Sequence, residues 1–199
     1  MYGHPKTLLE ADEARDALAA YRRAAILVTP DLACTHLPFY LDGDRLIGHV
    51  ARSNAHWKSA PCDALVICAG VEAYVSPNWY PSKHATGRAV PTWNYESLQV
   101  RGRLITFDDT AQLETAVTRL SDMHEAAQAR PWTLAEAPRD YLETLLRGIV
   151  GVAIAIESVE AKRKLSQDKP EADHAGVVAG LSASDDARDR AVAGAMRKD

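Results

Sequence analysis

AILVTPDLACTHLPFYLDGDRLIGHVA, residues 25–51, holds three apolar runs separated by two turn signals. Residues 25–29 have strand character, 32–41 read as their partner, and Pro30-Asp31 makes the connection. Asp42-Gly43-Asp44 is a hairpin turn of the type that tolerates positive φ, and 45–51 follow as a third strand. Working outward, Asp12 caps a helix carrying Ala14, Leu18 and Tyr21. A fourth strand is expected over 64–69. Residues 70–88 contain Pro77, Pro81 and Gly87 and must be partly loop. Residues 92–107 return to strand, interrupted or bent near Gly102. Asp108-Asp109-Thr110 starts a helix with Leu113, Val117, Leu120 and Met123 on one face. Pro138 opens another helix, with Leu142, Leu145 and Leu146, which Gly148 ends. A final strong strand covers 149–159. Strands cluster early, helices fall between the later ones, and no regular βαβ alternation exists. This pattern favours an antiparallel barrel with peripheral helices, a mainly β fold, over a doubly wound sheet.

With 199 residues, 47% hydrophobic and 25% charged, the chain suits one domain plus a short appendage. The domain is expected over 1–167. Beyond it, 168–199 form an extension in which apolar residues thin out, and 182–199 have little to bury, so that it is partly helical or disordered. Carboxylates near the N-terminus replace the apolar core of a signal peptide, and no apolar run reaches the roughly 18–20 residues of a membrane span. Cys34, Cys62 and Cys68 form no C-x-x-C pair, and an odd number argues against a disulfide framework. A reducing cytoplasm is therefore expected, and no membrane. A net charge of −4 lacks the basic surplus usual in proteins that live on nucleic acid.

Several segments could carry chemistry. In Thr35-His36-Leu37-Pro38, Thr35 and Leu37 face one way on a strand and His36 the other. Taken alone, His36 reads as a hydrogen-bonded core or interface histidine. The connector Arg52-Ser53-Asn54-Ala55-His56-Trp57-Lys58 combines two cations with a hydroxyl and an amide, the composition a phosphate site needs. Composition leaves a solvated loop equally open; Trp57, able to shield a phosphate or lie against a ring, favours the site. Residues 74–83, with Tyr74, Trp79, Tyr80 and two prolines, make a stiff aromatic loop for a planar ligand, an interface or a barrel end. In Pro91-Thr92-Trp93-Asn94-Tyr95, Asn94 offers donor and acceptor to the mixed edge of a flavin or base. The cationic run Lys162 to Gln167 reads equally as a solubilising strand end. His36, His49, His56 and His84 show no metal-ligand spacing, so no metal is expected. No nucleophile–base pair can be located, and the glycine signatures of Rossmann and P-loop sites are missing.

Taken together these segments resemble the PaiB-like family of FMN-binding negative transcriptional regulators. The matching pieces include the Met1-Tyr2 start, Thr35-His36-Leu37-Pro38, and Gly48-His49-Val50-Ala51-Arg52 with Asn54 and Trp57. Tyr74, Ser76-Pro77, Trp79 to Lys83, and Pro91 to Tyr95 follow. His124-Glu125, Pro131-Trp132, Ile149-Val150-Gly151 and Lys164-Leu165-Ser166-Gln167 complete the match. The resemblance implies an antiparallel Greek-key split β-barrel of the pyridoxamine-phosphate-oxidase type, a homodimer with FMN near its interface, and a repressor role. It implies phosphate contacts from Arg52, Ser53, Asn54, Trp57 and Lys58. It places Thr35, His36, Trp93 and Asn94 beside the ring, with Ser166 and Gln167 reaching in from the other subunit. The chain departs from the family string EGKxKLSQNR: Ala161 stands where Gly is usual, and Asp168 replaces an amide.

Two functions stay open. One is a negative transcriptional regulator that binds DNA directly or through a partner protein; the acidic helix near 108–125 argues against direct contact. The other is an FMN-dependent oxidoreductase or flavin reductase. A related barrel holding haem on His36 or His49, or lacking a cofactor, is a third.

Overall fold

The computed structural model describes residue 1 and residues 3–197; Tyr2 of the Met1-Tyr2 start lies outside the described residues. Seven strands form one sheet in the order β2-β1-β5-β6-β7-β4-β3. They are β1 (Ala24–Val28), β2 (Cys34–Pro38), β3 (Tyr40–Asp42), β4 (Arg45–Ala51), β5 (Cys62–Val75), β6 (Thr92–Phe107) and β7 (Ile149–Lys164). Six α-helices accompany them: α1 (Ala11–Ala19), α2 (Pro81–Thr86), α3 (Thr110–Glu125), α4 (Arg139–Arg147), α5 (Glu171–Ser182) and α6 (Ala187–Met196). β1 pairs antiparallel with β2 and β5, and β4 with β3 and β7. Residues 25–51 form the first and third expected strands, whereas the second, expected over 32–41, is broken into two. The β3–β4 turn places Gly43 at φ 59°, and β2 and β3 are separate because Pro38 cannot continue a ladder as a donor.

The chain divides into two compact units. The first comprises residues 15–68 and 99–159. Its core includes Leu27, Leu46, Val66, Leu104, Val152 and Ile154, all 2% exposed or less. α3 closes on Tyr40, Ile47 and Ala153 through Ala116 and Leu120. Its start follows from Asp109, whose carboxylate accepts from Gln112 N at 2.9 Å. β6 is continuous through Gly102, where a bend was expected. The glycine serves close approach instead, since a Cβ there would lie 2.0 Å from the Ala155 carbonyl oxygen.

The second unit comprises residues 1–14, 69–98 and 160–199. Its core joins Val75, Tyr80 and Leu165 to Val177, Leu181, Val192 and Met196 of α5 and α6. The expectation of little to bury over 182–199 thus differs from the structure, in which Val192, Ala193 and Met196 are buried. Sparse apolar residues suffice because α5 presents glycines to a bulky neighbour. A Cβ at Gly176 would lie 2.0 Å from Trp79 O, and one at Gly180 2.4 Å from the Trp79 ring.

Candidate functional site

Within the first unit, the connector after β4 folds over the end of β2. Asn54 caps the 3₁₀ turn Ala55–Ser59 by accepting from His56 N at 3.1 Å, while its amide donates to Thr35 Oγ1 at 3.1 Å. His56 is buried, and both ring nitrogens meet threonine hydroxyls: Nδ1 to Thr35 Oγ1 at 2.8 Å, Nε2 to Thr29 Oγ1 at 2.7 Å. Thr29 donates onward to Asp31 at 2.5 Å, and Ser59 donates to the other Asp31 oxygen at 3.0 Å. The Asp31 end sets the direction of the chain. Thr29 uses its proton on the carboxylate and so accepts from Nε2–H; Thr35 Oγ1, which accepts from the Asn54 amide, meets the other ring nitrogen, Nδ1. The Thr29 and Ser59 hydroxyls, with Ala33 N, hold the Asp31 carboxyl below its usual pKa.

Arg52, Ser53 and Lys58 are exposed on this connector. The Arg52 guanidinium donates to Arg147 O at 3.1 Å and Ile149 O at 3.0 Å, which fixes the fork beside the end of α4 with N–H groups to spare. Trp57 Nε1 donates to Arg52 O at 3.0 Å, and Lys58 Nζ lies 5.8 Å from the Trp57 ring centroid. Among the described residues no carboxylate pairs with Arg52 or Lys58. Two cations and a hydroxyl, exposed and uncommitted to carboxylates, fit a phosphate group. His36 lies exposed on β2, the neighbouring strand.

The other expected site residues belong to the second unit. Trp93 is 53% exposed, with Tyr74 edge-on to it at a centroid distance of 6.1 Å. Asn94 is 0% exposed; its amide donates to Ser166 Oγ at 3.0 Å and its carbonyl oxygen accepts from Ser166 Oγ at 3.1 Å. Gln167 uses its amide locally, accepting from Leu165 N at 2.8 Å and donating to Arg163 O at 2.7 Å. Ala161 sits in regular β7, its carbonyl accepting from Leu9 N at 3.1 Å, so no glycine freedom is needed there. Lys169 lies 2.9 Å from Asp168 and offsets its charge.

His56, Thr29 and Asp31 were not among the expected site residues. The Asn54-x-His56 spacing signals a capped turn, but nothing in the sequence joins it to Thr29. His49 is partly buried, its Nδ1 has no hydrogen-bond partner among the described residues, and burial lowers its pKa. Among the described residues no three His, Cys, Asp or Glu side chains come together to hold a metal.

The fold and site define a class of protein: a seven-stranded antiparallel sheet with peripheral helices and an exposed cationic connector beside one strand end. The family described as "Putative FMN-binding domain" matches residues 1–158, and the chain belongs to it. A Bacillus subtilis relative, protease synthase and sporulation protein PAI 2, is 31% identical over 150 residues, 72% of this chain and 70% of that one. An uncharacterized protein of Emericella nidulans is 30% identical over 190 residues, 76% of each chain. The flavocytochrome Anf3 from Azotobacter vinelandii superposes with a TM-score of 0.62 over 88% of this chain and 78% of its own, at 15% identity. The fold is the antiparallel split β-barrel with peripheral helices, and FMN is the cofactor. Among the described residues no helix is long and apolar enough to cross a membrane.

Proposed function

We propose that the chain works as a cytoplasmic homodimer with redox chemistry at FMN, the flavin phosphate resting on Arg52, Ser53 and Lys58. The observation that carries this reading is the oriented hydrogen-bond chain Asn54–Thr35–His56–Thr29–Asp31 behind the connector. FMN, when bound, supplies reversible electron or hydride transfer. The chain's own residues do the rest. Arg52 and Lys58 supply charge, Ser53 a directional donor, and Trp57 shields the phosphate on one side. Asn54 and His56 hold the Thr35 hydroxyl on one face of β2 and exposed His36 lies on the other, so each would border the ring from its own side of the strand. The exposed Trp93 is a platform for the ring across the dimer interface. Asn94, Ser166 and Gln167 would reach the flavin only by exchanging the hydrogen bonds they make to one another and to the backbone.

A negative transcriptional regulator is the second reading, drawn from the family resemblance; the Bacillus relative is named for protease synthesis and sporulation. Asp108, Asp109, Glu114, Asp122 and Glu125 in and before α3 disfavour direct contact with DNA phosphates, so such a role would run through a partner protein. The deciding measurement is a visible spectrum of the purified chain before and after FMN addition, alongside Arg52→Ala and Lys58→Ala. A flavin spectrum weakened in both variants, with bleaching by a nicotinamide reductant in the parent, supports the redox reading. Flavin uptake with no bleaching by any reductant, and retention of upstream DNA only when a partner protein is added, would replace it with the second.

A further inference from the structure

The unit formed by residues 1–14, 69–98 and 160–199 contains a cavity of about 460 Å³, within the range of small-ligand pockets. The turn after β5, the start of β6, the end of β7 and the first turn of α5 build its wall. Three features converge on it. Tyr80 is 3% exposed, and its hydroxyl has no hydrogen-bond partner among the described residues. A buried hydroxyl without a partner is costly, and its retention calls for an acceptor or donor from outside the protein. Lys164 Nζ donates to Thr92 Oγ1 and to Trp93 O, both at 2.5 Å, which leaves one N–H uncommitted. Burial pushes this lysine's pKa down, as for an ammonium that lacks its counter-ion. Ser166 is a non-glycine residue at φ 68°, a strained conformation of the sort found at ligand clamps, and its hydrogen bonds to buried Asn94 hold it there.

The charges on the wall define what fits. Lys169 is matched by Asp168. Asp173 accepts from Ser82 N at 2.9 Å and from Ser82 Oγ at 2.6 Å, so its oxygens are engaged. Lys164 and the exposed Arg88 remain, two positive charges against the one of Asp173. Val90, Pro91 and Pro170 supply an apolar flank.

We propose that this cavity is a second ligand site, for a small organic anion whose carboxylate or phosphate meets Lys164 and Arg88 while an oxygen of the same molecule pairs with the Tyr80 hydroxyl. The site stands on this unit alone; Asn94 and Ser166, which the resemblance places at the flavin, also line it, so the test is made with FMN already bound.

Calorimetric titration of the FMN-saturated full chain tests it, with benzoate as the probe anion, benzamide as its neutral counterpart and inorganic phosphate as competitor. Benzoate or phosphate is expected to bind saturably, with benzamide about tenfold weaker than benzoate or worse. Lys164→Met should weaken the anion about tenfold. Tyr80→Phe should weaken it too while raising the thermal midpoint of the ligand-free protein, because the orphaned hydroxyl is gone; this variant carries the test if Lys164→Met does not fold. Saturable phosphate binding that displaces benzoate points to phosphate esters, and benzoate binding that phosphate does not displace points to carboxylates. The proposal is overturned if neither anion binds at millimolar concentration, if benzamide matches benzoate, or if Tyr80→Phe binds the anion as the parent does without gaining stability.

Discussion

His56 has no polar ring atom left over: each nitrogen meets a threonine hydroxyl, and the chain of donors ends on an ionised carboxylate. Replacing it by Phe removes the ring partner of both hydroxyls, leaving Thr29 only its bond to Asp31 and Thr35 only the one from Asn54, so His56→Phe is expected to cost about 1–3 kcal/mol in urea unfolding and to weaken FMN binding as well. Asp31 adds a pH dependence with a definite sign. Its folded pKa lies below the ordinary value, so its contribution is present above the unfolded carboxylate pKa and is lost as pH falls through the depressed folded one. Asp31→Asn should therefore flatten the acid limb of the stability curve and leave the neutral-to-alkaline limb unchanged in shape. The cysteines separate by burial. Cys34 is exposed, whereas burial pushes the Cys68 thiol up to about 12. Brief alkylation at neutral pH, followed by peptide mass spectrometry, should label Cys34 and leave Cys68 free.

Among the elements, β6 and α5 show glycines chosen for what lies beside them. Gly102→Ala would push a methyl into the Ala155 carbonyl, and thermal or urea unfolding should report a loss of about 1–3 kcal/mol. Leu181 of α5 is fully buried against the Val75–Tyr80–Leu165 cluster. Leu181→Ala should cost about 2–5 kcal/mol, the range for a buried leucine truncation. The sequence pattern marked β1, β4, α3 and α4 because their apolar spacing and caps are local. It under-read β5 and β7, whose later halves carry glutamates, lysines and an arginine, and it missed α5 and α6 as packing elements. Their few apolar residues become a core only against Trp79 and Tyr80, about ninety residues or more away in the chain.

For the whole molecule, the charge balance and the family membership bear on partners. A net charge of −4, with Glu114, Asp122 and Glu125 on α3, disfavours binding to nucleic acid through that helix. The exposed Trp93, Tyr141 and Leu145 are large apolar groups of the kind an interface covers. Sedimentation equilibrium should return twice the chain mass, and FMN should shift any monomer–dimer equilibrium toward dimer if the ring spans the interface. A monomer that binds FMN with full affinity would remove Trp93 from the proposed contact set.

By itself, the sequence determined the β-rich class of fold and the cationic connector, because strand periodicity, turn residues and the Arg52 to Lys58 composition are written within short windows; the cofactor followed from the resemblance of its motifs to a family. The tertiary structure alone decided which polar groups are already spent. Asn94, Ser166 and Gln167 are the kinds of residue that line a flavin, yet their hydrogen bonds close on one another and on the backbone. Tyr80 and Lys164 read as members of an aromatic loop and a basic strand end, yet both meet one cavity with bonding capacity left over. Hydrogen-bond satisfaction depends on partners dozens of residues apart, so only the folded chain can show which donors remain for a ligand.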